Sequence, residues 1–233
     1  MPYRRSTIAI AALAFCVVTG VAWANPIPVY STGNGSTTDG YADPNWTYTL
    51  VNNAGNGPPS GSSAALVLAN YPVDFCRFPC GGTFGDWVPN STAGAWISDN
   101  TSSPQSGYNS ANNGGSESYS TTFSMAGLNP TTAQISGAWT IDDAGELLLN
   151  GNIISTLGDG NWGSLFSFAA PSSDFVVGAN TLTVVLTAAD DDWEGTQVQI
   201  ISATAAPVPE PVSLAMFGTG LACLKLLRRR RRR

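Results

Sequence analysis

Two tryptophans in polar loops, a dense run of carboxylates and a close cysteine pair are the side chains best placed to do chemistry here. Trp162 sits in Gly158-Asp159-Gly160-Asn161-Trp162-Gly163, and Trp193 in Asp190-Asp191-Asp192-Trp193-Glu194-Gly195. An exposed indole can stack on the apolar face of a sugar ring while neighbours such as Asn161 and Asp159 bond its hydroxyl edges. The same indole can instead plug the end of a fold, and both readings stand at this stage. Asp190, Asp191, Asp192 and Glu194 supply enough oxygens to suggest calcium, which takes six to eight. Their spacing is not that of an EF-hand, so a solvated acidic turn stands beside the calcium site. Asp142-Asp143, just before Glu146, reads as a second polar turn.

Catalysis finds little support. The chain has no histidine, which removes the common Ser-His and Cys-His nucleophilic sites. A glycosidase needs two facing carboxyl groups, but Glu117 at a strand edge and Glu146 before a hairpin strand read as ordinary solvated residues. Cys76 and Cys80 are expected to close a small disulfide loop in an oxidising compartment. A redox or metal pair is the alternative, although the spacing is not C-x-x-C and no histidine could complete a metal site.

The elements that must position these residues are strands. From Glu117 onward the chain alternates with period two. Tyr119, Thr121, Phe123 and Met125 share one face, and Ala133, Ile135, Gly137, Trp139 and Ile141 share one face of the next strand. Asn150-Gly151 between two apolar runs predicts a two-residue hairpin, because both residues tolerate positive φ. Strands are expected over 181–187 and 196–204, the latter with Val198 and Ile200 inward and Gln197 and Gln199 outward. Earlier strands are expected near 41–50 and 64–69. Trp46 and Trp139 read as core, Trp87 and Trp96 as intermediate. No segment of the body has an amphipathic helical pattern, so the fold class is all-β, an antiparallel β-sandwich.

Tyr119-Ser120-Thr121-Thr122-Phe123, Leu148-Leu149-Asn150-Gly151 and Gly178-Ala179-Asn180-Thr181-Leu182-Thr183-Val184 together resemble the galactose-binding-like jelly roll of many carbohydrate-binding modules. The resemblance covers residues 95–205. It implies a jelly roll that binds sugars or a matrix, or that supports a neighbouring domain.

Both ends carry targeting signals. Arg4-Arg5, an apolar core over 8–18 and Ala22-Trp23-Ala24 read as a signal peptide at residues 1–24 for signal peptidase. At the other end, Val208, Pro209, Glu210 and Pro211 precede an apolar segment at 212–227. Arg228, Arg229, Arg230, Arg231, Arg232 and Arg233 follow it. As a helix this segment spans roughly 24 Å, short of the roughly 30 Å hydrocarbon core of a bilayer. The arginines favour the cytoplasmic side, so the segment reads as a plain tail anchor or, given its short length and the Pro-Glu-Pro box, as a removable sorting signal. Box, short span and basic cluster resemble the PEP-CTERM sorting tail of Gram-negative bacteria, which an exosortase recognises. That resemblance covers 207–233 and implies export, transient anchoring in the inner membrane and delivery to the cell surface or extracellular matrix.

Between the two ends, 25–206 suits one domain. The whole chain has ten basic and sixteen acidic residues and a formal charge of −6. The central domain keeps fifteen of the acids and only Arg77 of the bases, about −14. Such a surface repels nucleic acid and anionic membrane surfaces but carries no penalty toward a neutral exopolysaccharide or other glycan. The expected protein is therefore an exported, non-catalytic glycan- or matrix-binding sandwich, with a purely structural surface protein as the alternative.

Overall fold

A computed structural model of the chain describes residues 24–52, 62–69, 87–99, 101, 115–187 and 194–208, and in the tail 218–220, 222 and 225. Its body is all-β, as the alternating pattern requires. Among the described residues eleven strands run in chain order: β1 (Asn25–Pro26), β2 (Ala42–Asn52), β3 (Ser63–Val67), β4 (Ile97–Ser98), β5 (Ser116–Ser124), β6 (Gln134–Asp142), β7 (Ala144–Leu149), β8 (Asn152–Leu157), β9 (Phe166–Ala170), β10 (Ala179–Thr187) and β11 (Gly195–Ala205). All pairings are antiparallel, in the order β8-β7-β10-β5-β2-β3-β4-β11-β6-β9, with β1 added to β11. The short β3 and β4 carry the sheet round from one layer to the other, which makes a β-sandwich of the jelly-roll kind, nearly closed on itself.

Period-two alternation places one face of each long strand in the core. On β5 the side chains of Glu117, Tyr119, Thr121 and Phe123 are buried while their neighbours are not. Opposite them stand Ile135, Trp139 and Ile141 of β6 and Val198 of β11. Trp46, Trp96 and Trp139 are fully buried. The Trp139 indole N–H donates to Ser155 Oγ at 2.9 Å, so this large side chain is buried without stranding its donor. Gly137 is the small member of the β6 face because a Cβ there would run into the Gln199 backbone carbonyl oxygen, and the Phe168 ring would lie only 2.8 Å from it.

The predicted hairpin is present: Asn150 (φ 53°) and Gly151 (φ 84°) join β7 to β8. Asn150 also reaches outside its turn. Its Nδ2 donates to the Asp174 carbonyl at 2.7 Å and to Asn180 Oδ1 at 2.8 Å, and its Oδ1 accepts from the Thr181 amide at 2.9 Å. Two of the three motifs that resemble the jelly-roll family, 148–151 and 178–184, are thus clamped to each other at one end of the sandwich.

Among the described tail residues, Gly218–Gly220, Ala222 and Lys225 are helical. No helix among the described residues is long and apolar enough to cross a membrane, and most of 212–227 lies outside them.

Candidate functional site

Strand register collects the carboxylates at one pole. Thr187 pairs with Ser116 and Ala144, and Asp142 pairs with Gly195. The start of β5 and β7, the end of β6 and β10 and the start of β11 therefore meet there. Ile97 pairs with Thr196, so Asp99 follows on toward the same pole. Asp99, Glu117, Asp142, Asp143 and Glu194 share this end.

Asp142, Asp143 and Asp159 bring one carboxylate oxygen each to within 4.8 Å of one another. Asp142 is 8 % exposed, Asp143 4 % and Glu194 1 %. The Asp143 amide donates to Glu194 Oε2 at 3.2 Å. Asp142-Asp143, expected as a solvated polar turn, is instead buried: β6 passes into β7 with one residue between them, and Asp159 and Glu194 lie against the pair. Of the expected calcium ligands, Glu194 lies beside this group, and Asp190, Asp191 and Asp192 fall outside the described residues. Hard oxygen donors without histidine or thiolate suit calcium or magnesium rather than zinc. Sequence reading missed this grouping because Asp159 is sixteen positions from Asp143. Only the loop after β8, folding back over β6, unites them. Thr140 Oγ1 anchors that loop by donating to the Asn161 carbonyl at 2.7 Å.

Glu117 corrects a second expectation. It is 3 % exposed, not solvated. Tyr119 Oη donates to its Oε2 at 2.8 Å and Tyr48 Oη to its Oε1 at 3.3 Å. Burial, and then the nearby charge of Asp99, push its carboxyl up to about 8. Burial, and then the neighbouring carboxyl, also hold Tyr119 well above the ordinary phenol range. Glu117 is therefore sealed between two tyrosines rather than presented at the surface.

The tryptophans divide as follows. Trp46 and Trp139 lie in the main core. Trp87 and Trp96, with Leu68, form a second cluster whose two indoles pack with centroids 4.0 Å apart and planes tilted by 31°. Trp162 is half-buried and packs against that cluster, and its carbonyl accepts from the Val88 amide at 2.9 Å. One part of the indole is thus fixed by packing while another meets solvent. Asn161, also half-buried, turns its Nδ2 back to the Gly158 carbonyl at 2.5 Å. Gln197, expected to face outward to solvent, does leave the core side of β11 but is fully buried. The segment around Gly94 covers it, with Nε2 donating to the Gly94 carbonyl at 2.7 Å. Trp193, Cys76 and Cys80 lie outside the described residues.

The opposite pole carries both chain ends. Asn25 pairs with Ala205, Leu128 bridges Pro207, and the Val208 amide donates to the Gly127 carbonyl at 2.9 Å. Pro209, Glu210, Pro211 and the arginines 228–233 fall outside the described residues.

Comparison with known proteins agrees with the reading of this tail. Residues 207–232 match the PEP-CTERM protein-sorting motif. No curated protein matches the chain. Among solved structures, a family 35 carbohydrate binding module from an environmental isolate is similar at 17 % identity. The match covers 42 % of this chain and 74 % of that one, with a TM-score of 0.25. The sorting motif marks an exported chain, anchored in the membrane before an exosortase processes it.

Proposed function

We propose that this is a non-catalytic protein of the cell surface or extracellular matrix whose acidic pole binds neutral glycan, with a calcium ion on Asp142, Asp143 and Asp159 and with Glu194 beside them. The observation that carries this reading is that one loop, 158–163, contributes both Asp159 to the carboxylate group and Trp162 to the surface. A hard cation and a fixed aromatic face would then share one locale. Sugar rings need just such a pairing of apolar face and oriented oxygens. Three carboxylates this close repel one another, and the domain offers them only Arg77 as a base. A divalent cation would offset that repulsion. Asp190, Asp191, Asp192 and Trp193 would extend the site from the adjoining loop.

Titration on a neutral-glycan array tests the proposal. Trp162→Ala should abolish binding of the tail-free domain, and EDTA should reduce it. A variant that binds like wild type would remove Trp162 from the site. Calcium at a hundredfold excess over its dissociation constant should also stabilise the fold by about 2.7 kcal/mol, seen as a rise in melting temperature that Asp143→Asn removes. A melting temperature indifferent to calcium would exclude the metal. The packing of Trp162 on Trp87 and Trp96 favours the second reading, a purely structural sandwich. Under it, Trp162→Ala lowers stability and no glycan binds.

The route to the surface makes a separate prediction. Signal peptidase would remove residues 1–24, the exosortase would remove the arginine cluster, and Cys76 and Cys80 would be joined in the exported protein. Intact-mass and non-reducing peptide mapping of surface protein from the native host should show all three. Recovery of the arginine cluster, or of two free thiols at 76 and 80, would reject the corresponding step.

A further inference from the structure

The two poles of the sandwich differ in charge, and the tail leaves from only one of them; the acidic pole exposes Val51 (46 %), whereas the other gathers several exposed valines and an isoleucine. Its described segments are 24–27, 125–134, 149–153, 171–180 and 203–208. They contain Asp174 as their one charged residue. The same segments expose Val177 (83 %), Ile153 (55 %), Val208 (52 %) and Val176 (47 %). Hydrogen bonds tie these loops into one surface. The Met125 amide donates to the Gly178 carbonyl at 2.7 Å, Val208 is held by Gly127, and Asn150 is held to Asp174. The acidic group of Asp99, Asp142, Asp143, Asp159 and Glu194 lies at the far end of strands nine residues long, roughly 30 Å away at about 3.3 Å per residue.

The tail leaves no room for a linker. Val208 is still hydrogen-bonded to the fold, and the apolar segment begins at Val212. Four residues reach at most about 14 Å. We propose that, while the tail is in the membrane, the neutral pole rests on the lipid surface through Val176, Val177 and Val208, and the acidic pole points away from it. The occupant follows from that reach and from charge: a domain of about −14 can approach a bilayer closely only by its uncharged end. Exposed apolar side chains at that end gain by entering the headgroup boundary. This inference rests on the tail acting as a membrane anchor.

The test uses the unprocessed full chain, with its native cysteines replaced by serine, in phosphatidylcholine vesicles. Nitroxides are attached through Val177→Cys at the neutral pole and Thr187→Cys at the acidic pole. Collision with lipid-soluble oxygen should be several-fold higher at 177 than at 187, and collision with an aqueous nickel chelate should be correspondingly lower. With the label moved to Ala126→Cys, adding Val176→Asp and Val177→Asp should bring the oxygen accessibility down to the level at 187. Chains that float with the vesicles but show equal, water-like accessibility at both positions would overturn the proposal and leave the anchor intact. Loss of accessibility to both agents at 177 would mean a protein partner and would also overturn it. Chains that do not float with the vesicles would overturn the anchor itself, and the proposal with it.

Discussion

The domain should lose stability as pH rises from about 5 to about 8, and Glu117→Gln should remove most of that loss. Glu117 is raised from an ordinary 4.5 to about 8 in the folded protein. Between those values the unfolded chain has released the proton and the native state still holds it, so the native state binds more protons and stability falls as pH increases. The stabilisation is fully present below about 4.5 and is lost by the time pH passes about 8. At about 1.4 kcal/mol per unit, the shift corresponds to at most about 5 kcal/mol. A glutamine at this position keeps both tyrosines engaged, because its oxygen accepts from one hydroxyl and its amide donates to the other. The variant should therefore match wild type near pH 5 and exceed it by several kcal/mol near pH 8. Urea unfolding at both pH values, in EDTA so that metal binding does not contribute, gives the comparison. A wild-type minus variant difference that stays constant from pH 5 to 8 would show that Glu117 is not held protonated by the fold. Glu117→Leu is the harsher change, since it leaves two buried phenol hydroxyls without their acceptor.

Glu117 also shows where sequence stops being informative. The spacing of two places Tyr119, Thr121 and Phe123 on one face, and Glu117 continues that spacing, yet it reads as a solvated strand edge. What was not legible is that Tyr48, from a strand 69 positions earlier, would arrive opposite and bond the same carboxyl. Solvation was inferred from residue type, whereas burial is set by pairing between strands. Gln197 repeats the lesson on the outer face, where the segment around Gly94 covers a side chain that alternation assigned to solvent. The Asp142, Asp143 and Asp159 group was invisible for the same reason. By contrast, the hairpin at Asn150-Gly151, the strands from 116 onward and the sorting tail rest on local signals, and those were readable directly. The two polar-loop tryptophans were flagged by context alone. Packing against Trp87 and Trp96 then decided how much of Trp162 meets solvent.

Asn180→Ala should cost about 3 kcal/mol, a large loss for one small polar side chain. Asn180 is 1 % exposed. Its Oδ1 accepts from the Val176 amide at 2.9 Å and from Asn150 Nδ2 at 2.8 Å, and its Nδ2 donates to the carbonyls of Val176 at 2.8 Å and Gly178 at 3.1 Å. Alanine strands those partners: the Val176 amide and the Asn150 Nδ2 each lose an acceptor at the closed end of the sandwich. The damage should also be directional. Asn150 and the 174–178 loop are tied to β10 through this side chain, so hydrogen exchange should quicken over 149–152 and 174–178 before it quickens at the acidic pole. Asn180→Asp preserves the acceptor but removes the Nδ2 donor and brings in a buried charge, so it should be at least as costly. Chemical denaturation and amide exchange of the three proteins distinguish a local clamp from a generic core position. Uniform acceleration of exchange in Asn180→Ala, or a cost below about 0.5 kcal/mol, would show that the Asn150–Asn180 pair does not hold this pole together.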